Sequence, residues 1–358
     1  MTLAATSLLS TTLHAVRPVD EQVRIAAQQR QAQLTKPEGS LGLLEAIGNQ
    51  LAAIHGAVPA PVPSHGVLGV FAADHGVYDQ GITPWPQEVT VQMLVNICYG
   101  GASVNALAPE TGTQVWPIDV GVAAPVPDAP GLRRMRVRSG SDDFTRGPAM
   151  SRDEARTGLE AGISVAQEAV AGGADILLTG EVGLGNTTVA AAVIAAMTGS
   201  DPAATTGRGA GADEAMLARK VDAVHRAIAV NRPDPADPLG VLSQVGGLDI
   251  AGMAGLMIGG AAAGVPVVLD GVISCAAALI AVGLAPEVRG YLFAGHNGRE
   301  PGIRVALDAL GLPALVDLGL RLGEGSGALV ALPIVRSGAR ILKDMATFAE
   351  AGVSGKSA

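Results

Sequence analysis

The residues with chemical potential in this chain sit in glycine-rich segments. Gly180-Glu181-Val182-Gly183-Leu184-Gly185-Asn186-Thr187-Thr188 follows a short apolar run and opens an alanine-rich stretch. Glycines let backbone N–H groups approach an anion, and a helix starting there adds unpaired donors and a positive dipole end. Asn186, Thr187 and Thr188 contribute N-cap and hydroxyl groups. The segment reads as a phosphate cradle or, equally, as a tight strand-to-helix turn. It is not a Walker loop, because no Lys follows the glycines, and its spacing is not G-x-G-x-x-G. Thr206-Gly207-Arg208-Gly209-Ala210-Gly211 is a second glycine-rich loop. Arg208 and the later Lys220 are cations suited to a phosphate or carboxylate, or to a solvated face.

Arg321-Leu322-Gly323-Glu324-Gly325-Ser326-Gly327 places an acid between glycines immediately before a helical stretch. A carboxylate presented there meets little crowding, which makes Glu324 a candidate general base. The alternative is an acid that complements a helix dipole. The segment from Thr83 to Met93 joins a proline-stiffened loop to a helix and offers Trp85, amide groups and Met93. It is suited to wall a pocket for a flat apolar base, or is a surface loop with a capping box around Thr90. Asp74-His75 and His296 lack a third ligand at usable spacing, so no metal site is expected.

These segments need a frame, and a repeating theme supplies it. Short apolar runs at 67–73, 115–118, 176–178, 267–269, 291–294 and 315–316 each end in glycine with an acid or histidine. Helical stretches are expected at 88–108, 151–172, 186–199, 212–230, 248–264 and 272–285, with two more within 20–55 and a last one at about 326–349. Strands alternating with helices predict an α/β fold with a doubly wound parallel sheet. In such sheets ligands bind beyond the carboxyl ends of the strands, where the acid and histidine positions above fall. The proline-rich stretch 57–65 reads as a linker.

Composition narrows the classes. The chain has 358 residues, 48% hydrophobic but 3% aromatic, with 48 glycines. That describes a tightly packed aliphatic core, and the length suggests roughly two domains. A net charge of −9 without a basic stripe argues against nucleic acid. The densest basic run, Arg133 to Arg138, is expected on a surface loop or edge strand. Cys98 and Cys275 match no metal or redox spacing and read as small buried hydrophobes. Met1 to Leu13 lacks the features of a signal peptide. Ile250 to Leu269 carries no charge, yet its glycines, alanines and Pro266 indicate a buried helix followed by a short strand, not a membrane span.

Taken in order, several segments resemble the nicotinate-nucleotide:dimethylbenzimidazole phosphoribosyltransferase family. They are Lys36-Pro37-Glu38-Gly39-Ser40-Leu41-Gly42, Ala73-Asp74-His75-Gly76-Val77, Pro86-Gln87-Glu88-Val89-Thr90, Gly100-Gly101-Ala102-Ser103-Val104-Asn105, the 180–188 segment, Gly246-Gly247-Leu248-Asp249-Ile250-Ala251, Val268-Leu269-Asp270-Gly271 and Leu322-Gly323-Glu324-Gly325-Ser326-Gly327. They span nearly the whole chain. The resemblance implies a Rossmann-like parallel sheet and a small helical domain made from both termini, residues 1–62 with about 326–358, beside a large domain at 63–325. It implies a cytoplasmic homodimer with small-molecule substrates, nicotinate mononucleotide and a benzimidazole-type base. No cofactor, metal, nucleic-acid or membrane partner is expected. The implied reaction places ribose 5-phosphate on the base with inversion and releases nicotinate, for the lower ligand of cobalamin.

Position by position, the resemblance implies Glu324 as the base that takes the imidazole proton. Gly183, Gly185, Asn186, Thr187 and Thr188 are implied as the phosphate cradle, with Glu181, Arg208, Lys220 and Asp270 around the nucleotide. Thr83, Gln92, Met93 and Leu322 are implied in the base pocket. The chain departs from the family at Gly295-His296-Asn297-Gly298, where a pattern similar to Ser-His-Arg-Ser is usual, with Arg299 following. It also has Ala210 where Thr is frequent. Two other readings stand beside this one: a phosphoribosyltransferase using phosphoribosyl pyrophosphate, which the single acid at Asp270 disfavours, and a non-catalytic nucleotide- or base-binding protein.

Overall fold

The computed structural model describes residues 7–354; the first part of the Met1 to Leu13 segment lies outside them. In chain order the elements are helices α1 (Leu8–Ala15), α2 (Glu21–Gln33) and α3 (Leu43–His55), strand β1 (Gly66–Ala73), α4 (Glu88–Cys98), α5 (Ser103–Thr111), β2 (Gln114–Gly121) and β3 (Arg133–Arg134). There follow α6 (Arg152–Ala171), β4 (Ile176–Val182), α7 (Asn186–Thr198), α8 (Pro202–Thr205), α9 (Glu214–Asn231), α10 (Pro238–Val245) and α11 (Leu248–Ala262). The chain continues through β5 (Val267–Leu269), α12 (Val272–Leu284), β6 (Leu292–His296), α13 (Pro301–Leu310), β7 (Ala314–Val316), α14 (Ser326–Asp344) and α15 (Phe348–Ala351).

The strands form one parallel sheet in the order β3-β2-β1-β4-β5-β6-β7. The chain first builds outward from β1 to β3, then returns to place β4 on the other side of β1. The switch point therefore lies between the carboxyl ends of β1 and β4, where open α/β sheets leave a crevice. Both faces are covered. Phe71 of β1 faces Gly252 of α11, whereas Leu68, of opposite parity, faces Gly325 at the start of α14. β1 and β4 are buried along their whole length, which explains their unbroken apolar runs.

Several expectations change in detail. The single helix expected at 88–108 is two, α4 and α5, broken at Gly100-Gly101, where Gly100 takes φ 82°. The apolar period runs across the break and hides it. Arg133–Arg134 is an edge strand paired with β2. Cys275 is buried but Cys98 is only half-buried, and both are unpaired. The uncharged stretch 250–269 divides into α11 and β5 around Pro266. Among the described residues no helix is long and apolar enough to cross a membrane.

Helices from the two ends of the chain pack together. A Cβ on Gly48 of α3 would meet the Gly338 carbonyl of α14 at 2.6 Å, so these helices approach backbone to backbone. Leu34 and Thr347 form a β-bridge. α14 also lies along β6, so the terminal helices are continuous with the packing of the sheet.

Candidate functional site

A cavity of about 460 Å³ opens at the carboxyl ends of the strands. It gathers Thr83, Met93, Glu181, Gly183, Gly185, Asn186, Thr187, Thr188, Arg208, Lys220, Leu322 and Glu324 into one lining. These residues come from segments far apart in the sequence, and the parallel sheet is what brings them together. Two sequence-selected residues fall outside the lining: Gln92 is exposed beyond it, and Asp270 lies beneath it.

Glu324 has an unusual backbone. Its φ is 64°, between Gly323 at 92° and Gly325 at 100°. A left-handed glutamate costs about 1 kcal/mol or more, which the surroundings must offset. They do so through Asp270, whose carboxylate accepts from Gly325 N (3.1 Å) and Gly327 N (2.7 Å). Gly180 makes room on the other side, because a Cβ there would overlap the Glu324 carbonyl. Glu324 is 6% exposed, and its Oε2 has no hydrogen-bond partner. Burial raises its pKa and the Asp270 charge adds to this, while the Val104 amide acts the other way. The result is a carboxylate short of hydrogen bonds, in the wall of a cavity, with basicity above the ordinary.

Glu181 ends β4 beside it and is fully buried. Asn186 Nδ2 donates to Glu181 Oε2. Burial, then the charges of Asp270 and Asp249, push its pKa well above the usual carboxylate value, which favours its neutral form. Two histidine–carboxylate pairs lie in the same layer: His75 Nε2 to Asp249 Oδ2 at 3.3 Å and His296 Nε2 to Asp270 Oδ1 at 3.6 Å. Burial works against a charge on His75, but the Asp249 carboxylate outweighs it and raises the pKa.

The α7 end of the cavity is built for an anion. Gly185, at φ 91°, caps α7 without a side-chain bond, and the start of the helix lies in the cavity lining, its Asn186 and Thr188 amides donating to Gly183 O (3.4 Å) and Gly185 O (2.9 Å). The loop is held from behind by Thr90. Its hydroxyl donates to Asp74 Oδ1 (2.7 Å) and accepts from Leu184 N (3.2 Å), an inward role and not the capping box. Lys220 is 2% exposed; its Nζ donates to Thr187 Oγ1 (2.9 Å) and Gly207 O (2.6 Å). Burial lowers its pKa to about 8, against the pull of Glu300. Arg208 is already engaged, with Glu214 and with Ala212 O (3.0 Å).

The lining also has a largely apolar part, Ile82, Thr83, Trp85, Met93 and Leu322. Trp85 Nε1 donates to Ala210 O (3.1 Å), so the proline loop and the 206–211 loop meet across the mouth. The acceptor is a main-chain carbonyl, which makes the Ala210 departure neutral for this contact. Glu300, which sequence reasoning missed, accepts from Gly209 N (2.7 Å) and braces that loop. Asp249 was not singled out as a site residue either; its partner His75 lies in a distant segment, beyond any local spacing signal.

In comparisons with known proteins, the phosphoribosyltransferase family model matches residues 16–353. A nicotinate-nucleotide–dimethylbenzimidazole phosphoribosyltransferase of Salinispora tropica is 52% identical over 98% of this chain and 100% of its own length. The protein of the same name from Roseiflexus sp. is 50% identical, over 98% and 99%. The crystal structure of the Thermus thermophilus enzyme of that name superposes with a TM-score of 0.89 at 47% identity, covering 94% of this chain and 100% of that one.

Proposed function

The chain belongs to the nicotinate-nucleotide–dimethylbenzimidazole phosphoribosyltransferase family, and from that premise we propose how its cavity carries out the transfer. The enzyme moves ribose 5-phosphate from nicotinate mononucleotide to a benzimidazole-type base, giving the α-ribotide and nicotinate, a step toward the cobalamin lower ligand. The phosphate sits on the first-turn amides of α7, with Thr187, Thr188 and Lys220. The base lies against Thr83, Met93 and Leu322. Glu324 takes the proton from one ring nitrogen while the other nitrogen attacks C1 of the ribose. The C1–nitrogen bond to the pyridinium breaks, its electron pair goes to nicotinate, and attack from the opposite side inverts the configuration.

Each part has a physical reason. A pyridinium leaves as a neutral ring, so the chain needs orientation and a base more than an added electrophile. Glu324 with a raised pKa is a stronger base than an exposed carboxylate. Neutral Glu181 keeps a second negative charge away from it and can donate to a ribose oxygen. The observation that carries the reading is Glu324, a buried carboxylate with an unpartnered oxygen, in the lining of the same cavity as the start of α7 and Lys220. Asp270 belongs to the support of Glu324, since Gly325 and Gly327 occupy both of its oxygens.

We assign the protein to the cytoplasm as a homodimer, on the strength of the same resemblance. The packing of α2, α3 and α14 supports a smaller helical unit of residues 1–62 and about 326–358 beside a large one at 63–325. The test is purified protein with nicotinate mononucleotide and dimethylbenzimidazole, without added metal, followed by chromatography with mass detection. Nicotinate and α-ribotide appearing together in equal amounts is the expected result. No turnover by folded protein across benzimidazoles, purines and phenols would instead favour a nucleotide-binding role without catalysis.

A further inference from the structure

His296 ends β6 in the cavity lining, yet it is only 4% exposed. Its Nε2 stands 3.6 Å from Asp270 Oδ1, and its Nδ1 has no hydrogen-bond partner among the described residues. The same Asp270 oxygen accepts from Gly327 N (2.7 Å), and the other accepts from Gly325 N (3.1 Å). The imidazole therefore backs the carboxylate that holds the turn around Glu324. It also lies against that turn. A Cβ on Gly327 would overlap His296 Cδ2, and one on Gly271, next to Asp270, would stand 3.4 Å from Nε2.

Asp270 needs such a neighbour. It is buried close to two other buried acids, Glu181 and Glu324. A carboxyl group must be ionised for both of its oxygens to serve freely as acceptors. Burial opposes that ionisation, while the charge of His296 favours it, as do the Gly327 and Gly325 amides. The other ionisable groups that feel the Asp270 charge are Glu181 on β4, Glu324 before α14 and Cys275 on α12, and they bring no positive charge. We infer that His296 is a positioning residue for the transfer: facing Asp270 from β6, it keeps that carboxylate an acceptor for both amides and so fixes Glu324 in the cavity wall. The assignment rests on Glu324 acting as the base in the functional reading above.

The test compares wild type, His296→Asn, His296→Gln, Asp270→Asn and the double variant His296→Asn with Asp270→Asn. Thermal melting verifies folding, and kcat across pH and nucleotide Kd are measured separately. Asn is too short to bring an N–H to the place of Nε2, whereas Gln reaches it without the charge. His296→Asn lowers kcat by about tenfold and leaves the Kd of nicotinate mononucleotide within about twofold. Its acid limb moves to higher pH, the reverse of Asp270→Asn. Asp270 is then harder to ionise and, once ionised, its unanswered charge raises Glu324 further. His296→Gln recovers part of kcat. In the Asp270→Asn background, His296→Asn changes kcat by less than about twofold and leaves the limb in place. Losses that multiply in the double variant, an unmoved limb, or a nucleotide Kd that weakens in step with kcat would overturn the inference. So would loss of the cooperative melt in both His296 variants, which would make the histidine a requirement of the fold. Wild type without turnover, or Glu324→Gln turning over as wild type does, would overturn the functional reading together with this inference.

Discussion

Asp270 holds the backbone on which Glu324 is displayed: from the end of β5 its two oxygens take the amides of Gly325 and Gly327. The same carboxylate acts electrostatically, since its charge helps raise the Glu324 pKa. One buried acid thus sets both the direction and the strength of another. Asp270→Asn alters both effects, which turnover and the pH profile then read separately. It keeps one acceptor but turns an amide N–H₂ toward a backbone N–H, and it removes the charge. Turnover falls about 10- to 100-fold, and the acid limb of the pH–rate profile moves to lower pH. An unmoved limb would show that Asp270 does not tune Glu324.

The wild-type profile of kcat/KM is bell-shaped. Glu324 must be deprotonated to accept a proton, and its pKa is raised from 4.5, so activity rises with pH on a limb above that value. Lys220 must be protonated to hold phosphate, and burial brings its pKa to about 8, so activity declines above that pH. Lys220→Met removes the basic limb and raises KM for the nucleotide by about tenfold or more, leaving the acid limb in place. Rates measured from about pH 5 to 10 on both proteins check this.

Gly180→Ala tests the clearance under Glu324. The added methyl would overlap the Glu324 carbonyl, and backbone must move to admit it. The expected cost is about 1–3 kcal/mol of stability. The loss of turnover exceeds the loss of nucleotide affinity, because the displaced segment carries Glu324 and not the α7 amides. Calorimetric melting and separate kcat and Kd measurements distinguish these.

Glu181 gives a stability prediction with a definite sign. Its folded pKa lies well above 4.5, so the folded chain retains a proton that the unfolded chain releases. The resulting stabilisation is complete below the unfolded value and is lost as pH rises through the folded one. Glu181→Gln keeps a neutral side chain at every pH. The decline in melting temperature as pH rises above 4.5 becomes shallower in the variant than in wild type, and parallel slopes would count against a raised Glu181 pKa.

Much of this arrangement is local and therefore legible in the sequence. The glycine runs at 180–188 and 322–327 carry their geometry with them, and alternating apolar runs and helical stretches fix the parallel sheet. What the sequence hides is long-range. Asp270 reads as a residue near the nucleotide because nothing local reveals that its partners lie at 325 and 327. The His75–Asp249 pair joins the ends of distant segments. Gln92 stands outside the lining for a different reason: α4 is present, but Gln92 lies about 100° around the helix from Met93, which the cavity does include. The break at Gly100-Gly101 escapes an apolar period that continues across it.

The central claim is that Glu324 is the base of a phosphoribosyl transfer, and the most direct test compares wild type with Glu324→Gln. Nicotinate release and α-ribotide formation from nicotinate mononucleotide and dimethylbenzimidazole would be measured alongside nucleotide affinity. The account predicts matched product formation by wild type, and in the variant nucleotide affinity within about twofold but turnover lower by about 10²- to 10⁴-fold. A variant that turns over at the wild-type rate would contradict it.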